Sequence, residues 1–153
     1  MLADDRHQDH DERSRRARHL DTRPADRRDH AALVDAHVVD ATRCIAYLTI
    51  ELEGPLPLEQ RPHVGDHWFG CDICQEVCPF NLAPLATLDP AWAPRAGRST
   101  SYAAELWQRS DDRLHALVDR SAMTRTSLSR LRRNLAVVLG NSGDPRMAAV
   151  LDR

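Results

Sequence analysis

The sequence predicts a mainly α-helical protein with a small β component, an α+β fold in which a cysteine-bearing segment precedes a helical one. Three observations support this fold class. All four cysteines of the 153-residue chain lie between positions 44 and 78. Apolar residues recur at helical spacing from position 101 onward. The first 30 residues are dominated by charged side chains and histidine, and too few apolar groups are present there to build a core.

Four segments are predicted along the chain. Residues 1–30 form a disordered tail, or the product of a wrong reading frame or start site. Residues 31–82 carry a partial ferredoxin-like 4Fe-4S module. Residues 83–100 are a connector rich in proline and alanine. Residues 101–153 form a helical segment.

The overall composition narrows the function classes. A formal net charge of −2 argues against a globally basic nucleic-acid binder, although local patches remain open. Every basic residue other than histidine is an arginine. The apolar runs stay well short of the roughly 18 residues that a membrane-spanning helix needs. We therefore expect a cytoplasmic protein without a membrane partner.

Short elements are expected on both sides of the first cysteine. Upstream, β-branched residues predict one short strand leading into Cys44: Val34, Val38 and Val39. Downstream, I-A-Y-L-T-I-E-L predicts about two helical turns. Their apolar stripe is formed by Ile45, Leu48 and Leu52.

The cysteine spacing is typical of iron–sulfur proteins. Cys44 lies 27 positions before a C-x2-C-x3-C-P motif that contains Cys71, Cys74 and Cys78. A bacterial ferredoxin run ends in the same way, and in two-cluster ferredoxins its last cysteine binds the other cluster. Thiolates supply the soft, charged ligands that such clusters require. The spacing therefore predicts that Cys44, Cys71 and Cys74 bind one cluster and that Cys78 binds a second.

Two other uses of four cysteines remain open at this point. Four thiolates also form a tetrahedral zinc site, although a zinc ribbon usually has two C-x2-C pairs and here there is one. Two disulfides are less favoured because the chain has no secretory signal. His63 and His67 lie near the cysteines, and we interpret them as surface or hydrogen-bonding residues.

Two helices are predicted at the start of the helical segment. The first covers residues 101–108. The second follows Ser110 as its N-cap, with two aspartates in its first turn, where the helix dipole favours negative charge. The apolar face of this second helix consists of Leu114, Leu117 and Val118.

Two more helices are predicted nearer the C-terminus. The longer one covers residues 126–139, with Gly140 and Asn141 as its C-cap. The last one follows Asp144 as its N-cap and has Pro145 at its first position. Paired helices of this kind are typical of a fragment of an α-solenoid.

Four arginines at the longest predicted helix lie outside its apolar stripe. One interpretation is a solvated helix face. The other is a phosphate-contacting surface, because the arginine fork pairs bidentately with phosphate oxygens. The four residues are Arg125, Arg130, Arg132 and Arg133.

Two motifs, in this order, resemble the epoxyqueuosine reductase family. The stretch C-I-A-Y-L-T-I-E-L-E-G-P-L-P followed by G-D-H-W-F-G-C-D-I-C-Q-E-V-C-P-F-N is similar to the second half of its ferredoxin-type domain. Downstream, S-A-M-T-R-T-S-L-S-R-L-R-R-N-L-A-V-V-L-G-N resembles the HEAT-like helical segment of the family. Together the resemblance covers roughly residues 35–151.

The resemblance implies a reaction and its cofactors. Members of the family use cobalamin and two 4Fe-4S clusters to reduce epoxyqueuosine to queuosine at the wobble position of tRNA. It implies that Cys44, Cys71 and Cys74 bind one 4Fe-4S cluster and that Cys78 binds the other. It further implies that the helical segment helps to hold the anticodon stem-loop of the tRNA, which favours the phosphate-contact hypothesis for the four arginines.

Departures from the family pattern are also present. The first motif, C-x2-C-x2-C-x3-C-P, is missing, and so is the cobalamin-binding region with its catalytic acid. We therefore expect a C-terminal fragment that is inactive alone and whose partner is the missing N-terminal half. The alternatives are a stand-alone electron-transfer protein with a single 4Fe-4S cluster and a zinc-binding interaction module.

Overall fold

The computed structural model describes residues 32–35, 38–76 and 99–152. The predicted tail, most of the predicted connector and Cys78 lie outside the described residues. Within them, the protein is mainly helical with one two-stranded sheet. The predicted fold class is confirmed. No helix in these ranges is long and apolar enough to cross a membrane.

Two short strands precede the first cysteine. Strands β1 (Leu33–Asp35) and β2 (Val38–Val39) pair antiparallel, with Leu33 opposite Val39. The backbone N–H of Asp40 donates to the carbonyl of Ala32 at 2.7 Å and closes the pair. The valines therefore lie on two strands, and the prediction of a single strand was wrong.

The helical turns after Cys44 are wider than an α-helix. A 3₁₀ turn (Ala41–Arg43) leads into a π-helix (Tyr47–Glu51), in which the N–H of Leu52 donates to the carbonyl of Tyr47 at 2.9 Å. The hydroxyl of Thr49 donates to the carbonyl of Ile45 at 2.7 Å. A side chain that bonds the ladder carbonyl four residues back bends and opens a helix. The predicted helix is present, in π form.

Short elements connect the π-helix to the other cysteines. A 3₁₀ turn (Leu58–Gln60) continues into helix α1 (Arg61–Val64), which ends at Gly65 with a φ of +57°. Glycine adopts this left-handed conformation without the steric cost that a Cβ would add. Helix α2 (Ile73–Glu76) carries the second cysteine of the C-x2-C motif.

The remaining helices form the larger part of the structure. They are α3 (Thr100–Trp107), α4 (Asp111–Val118), a 3₁₀ turn (Ala122–Arg125), α5 (Leu128–Asn141) and α6 (Pro145–Leu151). Helix α5 is central, since α1, α3, α4, α6 and the π-helix all pack against it.

The helix ends test the predicted capping residues. Asp144 caps α6 by accepting from the N–H of Arg146 at 2.9 Å, as predicted. Helix α5, however, continues through Gly140 and Asn141, so their assignment as its C-cap was wrong. Ser142 is the C-cap, and the left-handed residue that follows is Gly143, with a φ of +66°.

One hydrophobic core joins the cysteine-bearing segment to the helices. Its buried members are Leu48, Leu56, Val64, Trp68, Ala103, Ala104, Leu106, Leu114, Val118, Leu131, Leu135, Val138 and Leu139. Leu117 was predicted to belong to the apolar face of α4 but is 41% exposed, because α4 is short and buries only the Leu114–Val118 edge. The cysteine segment is thus packed directly on the helical segment.

The N-cap of α5 gives a first stability prediction. The Ser127 hydroxyl accepts from the N–H of Arg130 at 3.3 Å, whereas the Ser110 hydroxyl makes no capping bond at the start of α4 in the described chain. Ser127→Ala is expected to lower the free energy of unfolding by about 1 kcal/mol, as for other N-caps. Ser110→Ala is the matched control with a smaller loss. Urea denaturation of both variants measures the difference, and equal losses would contradict the capping argument.

Candidate metal centre

Cys44 lies at the junction of the 3₁₀ turn and the π-helix. Its N–H donates to the carbonyl of Ala41 at 3.1 Å, and its own carbonyl accepts from the N–H of Leu48 at 2.9 Å. The side chain is half-buried, and its thiol is free. Both sides of the residue are thus held by backbone hydrogen bonds.

Cys71 lies two residues before α2, and Cys74 is the second residue of that helix. Cys71 is half-buried, Cys74 is exposed, and both thiols are free. The x2 spacing places them about one helical turn apart. Cys78, the predicted ligand of a second cluster, lies outside the described residues.

The pKa of the Cys71 thiol depends on its burial and on the charges near it. Burial raises the pKa of Cys71, and the negative charges of Cys44, Cys74 and Asp72 raise it further, against the backbone N–H of Ile73, which lowers it. The charges of Cys44 and Cys74 thus act on the pKa of the Cys71 thiol. Free thiols are the ligands that an iron–sulfur group takes, and its binding favours their ionised form.

A single metal ion has no ready-made site in the described ranges. No three or more His, Cys, Asp or Glu side chains there are arranged to hold one ion. The His67 ring nitrogen Nδ1 instead lies 3.2 Å from the carbonyl oxygen of Val64, and His63 is exposed.

Buried hydrogen bonds link the two cysteine segments. The backbone N–H of Gly70, the residue before Cys71, donates to the Thr49 hydroxyl at 3.0 Å. The carboxamide of Asn134 on α5 donates to the carbonyl of Thr49 at 2.6 Å and to that of Trp68 at 3.1 Å. Thr49 and Asn134 are both fully buried.

Arg133 of α5 caps the C-terminal end of the π-helix. Its guanidinium donates to the carbonyls of Leu48 at 2.7 Å, Leu52 at 2.8 Å and Gly54 at 2.6 Å. The last carbonyls of a helix lack partners within it, and a cation is favourable at that end. Burial lowers the pKa of Arg133, and the charge of Arg130 lowers it further. Even so, an arginine keeps its proton in proteins.

The other three arginines of the predicted phosphate surface also have partners inside the protein. Arg130 donates to the carbonyl of Glu51 at 3.1 Å, and Arg125 forms an ion pair with the Glu51 carboxylate. Arg132 bonds the Asp111 carboxylate at 2.9 Å, and its guanidinium lies 5.7 Å from the centre of the Trp107 ring. Their contact with phosphate stays a prediction.

Sequence reasoning missed Thr49 and Asn134. A signal for Asn134 was present, because it lies three positions after Leu131 and one before Leu135 on the buried face of α5. A polar residue at such a position needs hydrogen-bond partners within the protein. Nothing local indicated which carbonyls those partners are.

The cysteine segment matches a known family model. Residues 29–81, which include all four cysteines, match the model described as a 4Fe-4S double cluster binding domain. This match supports an iron–sulfur cofactor.

Curated relatives extend the match into the helical segment. Over 111 residues the chain is 41% identical to the epoxyqueuosine reductase of Escherichia coli (strain K12), an alignment that covers 72% of this chain and 29% of that protein. Over the aligned stretch, the chain is similar to epoxyqueuosine reductase. It spans less than a third of the length of this relative.

Solved structures of epoxyqueuosine reductase share the arrangement of the two segments. The Bacillus subtilis enzyme superposes with a TM-score of 0.67 at 28% identity, covering 82% of this chain and 34% of that one. A crystal structure of epoxyqueuosine reductase with an epoxyqueuosine-modified tRNA-Tyr stem loop superposes with a TM-score of 0.66, also at 28% identity. It covers 80% of this chain and 32% of that one.

Proposed function

We propose that this chain supplies iron–sulfur ligands and a helical scaffold to an epoxyqueuosine reductase, which reduces epoxyqueuosine to queuosine at the tRNA wobble position. The observation that carries the proposal is the match to a double-cluster domain of the stretch that holds three free thiols, Cys44, Cys71 and Cys74. A packed helical segment joined to it by one core is consistent with the HEAT-like segment of the family. Since its substrate is a tRNA, we place the protein in the cytoplasm.

We infer the ligand sets from the spacing of the cysteines and from the family resemblance. Cys44, Cys71 and Cys74 would hold one 4Fe-4S cluster, and Cys78 would belong to a second. When bound, such clusters supply one-electron transfer. The chain itself holds Cys44 and Cys71 on segments tied to each other by hydrogen bonds. The cobalamin of the family would be held outside the aligned stretch, and no residue of this chain is assigned to it.

Among the four arginines, Arg125 is the best candidate for a tRNA phosphate contact. Its side chain is 64% exposed, and its partner Glu51 is 48% exposed. An exposed ion pair contributes little, so a phosphate can take the place of the carboxylate. Arg132 and Arg133 are engaged with partners inside the protein, so we assign them to the scaffold.

Metal counting on cysteine variants tests the ligand assignment. The unsubstituted chain and its Cys44→Ala and Cys78→Ala variants are reconstituted anaerobically with iron and sulfide, and iron, sulfide and zinc are then counted per chain. We expect Cys44→Ala to lose most of the iron that the unsubstituted chain holds. Cys78→Ala should keep it, because Cys78 does not belong to that cluster.

The other outcomes separate the alternatives. About four irons per chain, lost equally in both variants, would mean one self-contained cluster and therefore an independent electron carrier. Tightly held zinc without iron would contradict both iron–sulfur hypotheses and leave the zinc module.

A further inference from the structure

The Thr49 hydroxyl bonds backbone groups of both cysteine segments. It donates to the carbonyl of Ile45, the residue after Cys44, at 2.7 Å. It accepts from the N–H of Gly70, the residue before Cys71, at 3.0 Å. A hydroxyl carries one proton and two lone pairs, so these two bonds have opposite and fixed directions.

The bridge is anchored from α5. Asn134 uses both amide protons, one on the carbonyl of Thr49 and one on that of Trp68. The carboxamide oxygen accepts from Arg133 at 2.9 Å. Both sides of the bridge are therefore tied to the same helix, and Thr49 and Asn134 are themselves fully buried.

We propose that Thr49 is a positioning residue for the iron–sulfur site, setting Cys44 and Cys71 at the separation that a shared cluster requires. The role rests on the proposed function only where the cluster is concerned, since the bridge itself exists in the metal-free chain. Ligands for a metal group must be held by a supporting shell, and loss of such support weakens binding by about 10- to 100-fold in known metal sites.

Two matched substitutions separate the hydroxyl from the side-chain volume. Thr49→Val keeps the shape and removes the hydroxyl, whereas Thr49→Ser keeps the hydroxyl. Thr49→Ala is a second hydroxyl-free variant in case valine disturbs folding. Val118→Ala is the stability control, because Val118 is a core residue of α4 on a different helix from the bridge.

The first readout is hydrogen exchange of the Gly70 amide in the metal-free chain, measured by NMR. We expect exchange to be about tenfold faster in Thr49→Val, because the amide loses its acceptor. Thr49→Ser should exchange as slowly as the unsubstituted chain. The second readout is iron and sulfide per chain after anaerobic reconstitution at limiting iron. We expect Thr49→Val to hold less than half of the unsubstituted amount, and Thr49→Ser and Val118→Ala to hold nearly all of it.

Each remaining outcome overturns the proposal or the function beneath it. Faster Gly70 exchange with unchanged iron would make Thr49 a purely structural residue. Unchanged exchange of the Gly70 amide in Thr49→Val would show that the Thr49 hydroxyl does not bond this amide. Equal iron loss in Val118→Ala would show that the iron loss of Thr49→Val reflects lower stability alone. If the unsubstituted chain binds no iron, the proposed function fails, and the Gly70 exchange still decides whether Thr49 joins the two segments.

Discussion

Replacing Leu135 with alanine is expected to lower the free energy of unfolding by about 3–4 kcal/mol. Leu135 lies in the middle of α5, is fully buried, and belongs to the core that joins the cysteine segment to the helices. Truncation removes apolar contacts and leaves a cavity that close-packed neighbours fill only in part. Urea denaturation followed by far-UV circular dichroism measures the loss.

Leu117 provides the control for the Leu135 substitution. It is the same residue type, it also lies in a helix, and it is 41% exposed. Leu117→Ala should therefore cost less than about 1 kcal/mol, as surface substitutions usually do. If the two alanine variants unfold at the same urea concentration, α5 is not the centre of the core.

Replacing Arg133 with alanine is expected to cost about 2–4 kcal/mol, a large effect for an arginine. The guanidinium serves three carbonyls of the π-helix end, namely those of Leu48, Leu52 and Gly54. A hydrogen bond to a charged group contributes about 1.5–3 kcal/mol, and a buried acceptor left without a donor adds its own penalty. Leu48 is buried and Gly54 is exposed, so most of the loss comes from the Leu48 carbonyl.

Arg133→Lys and Arg113→Ala complete this experiment. Lysine keeps the charge but cannot present the planar fork that reaches several carbonyls at once, so it should restore only part of the stability. Arg113 is an exposed residue of α4, and its replacement by alanine should change the free energy of unfolding by less than about 0.5 kcal/mol. Urea midpoints measure all three, and an Arg133→Ala midpoint equal to that of Arg113→Ala would refute the capping role.

Much of the helical segment could be predicted from local signals. The apolar stripe of α5 and the Asp144–Pro145 start of α6 follow from spacing and capping chemistry, and both are present. The prediction failed where two local signals competed. Gly140 looked like a helix end, but the left-handed position belongs to Gly143, and a glycine inside a helix costs only about 1 kcal/mol, which packing readily overrides.

Part of the candidate site could likewise be predicted from local signals, and part could not. The cysteine spacing is a local signal, so Cys44, Cys71 and Cys74 could be singled out from it. Charge alone could not assign the arginines of α5, because a guanidinium on a helix looks the same whether it meets phosphate or a backbone carbonyl. The partners of Arg133 and Asn134 are carbonyls more than 60 positions away in sequence, and only the folded structure reveals them.

The distance in sequence between Arg133 and the π-helix affects the order of events during synthesis. The bond from Arg133 to the carbonyl of Leu48 spans 85 positions. At about 5–20 residues per second, a ribosome needs roughly 4–17 s to cover that span. For this interval the newly made Leu48 carbonyl lacks the guanidinium that bonds it in the folded protein. The C-terminal end of the π-helix therefore acquires its Arg133 cap only after α5 has been translated.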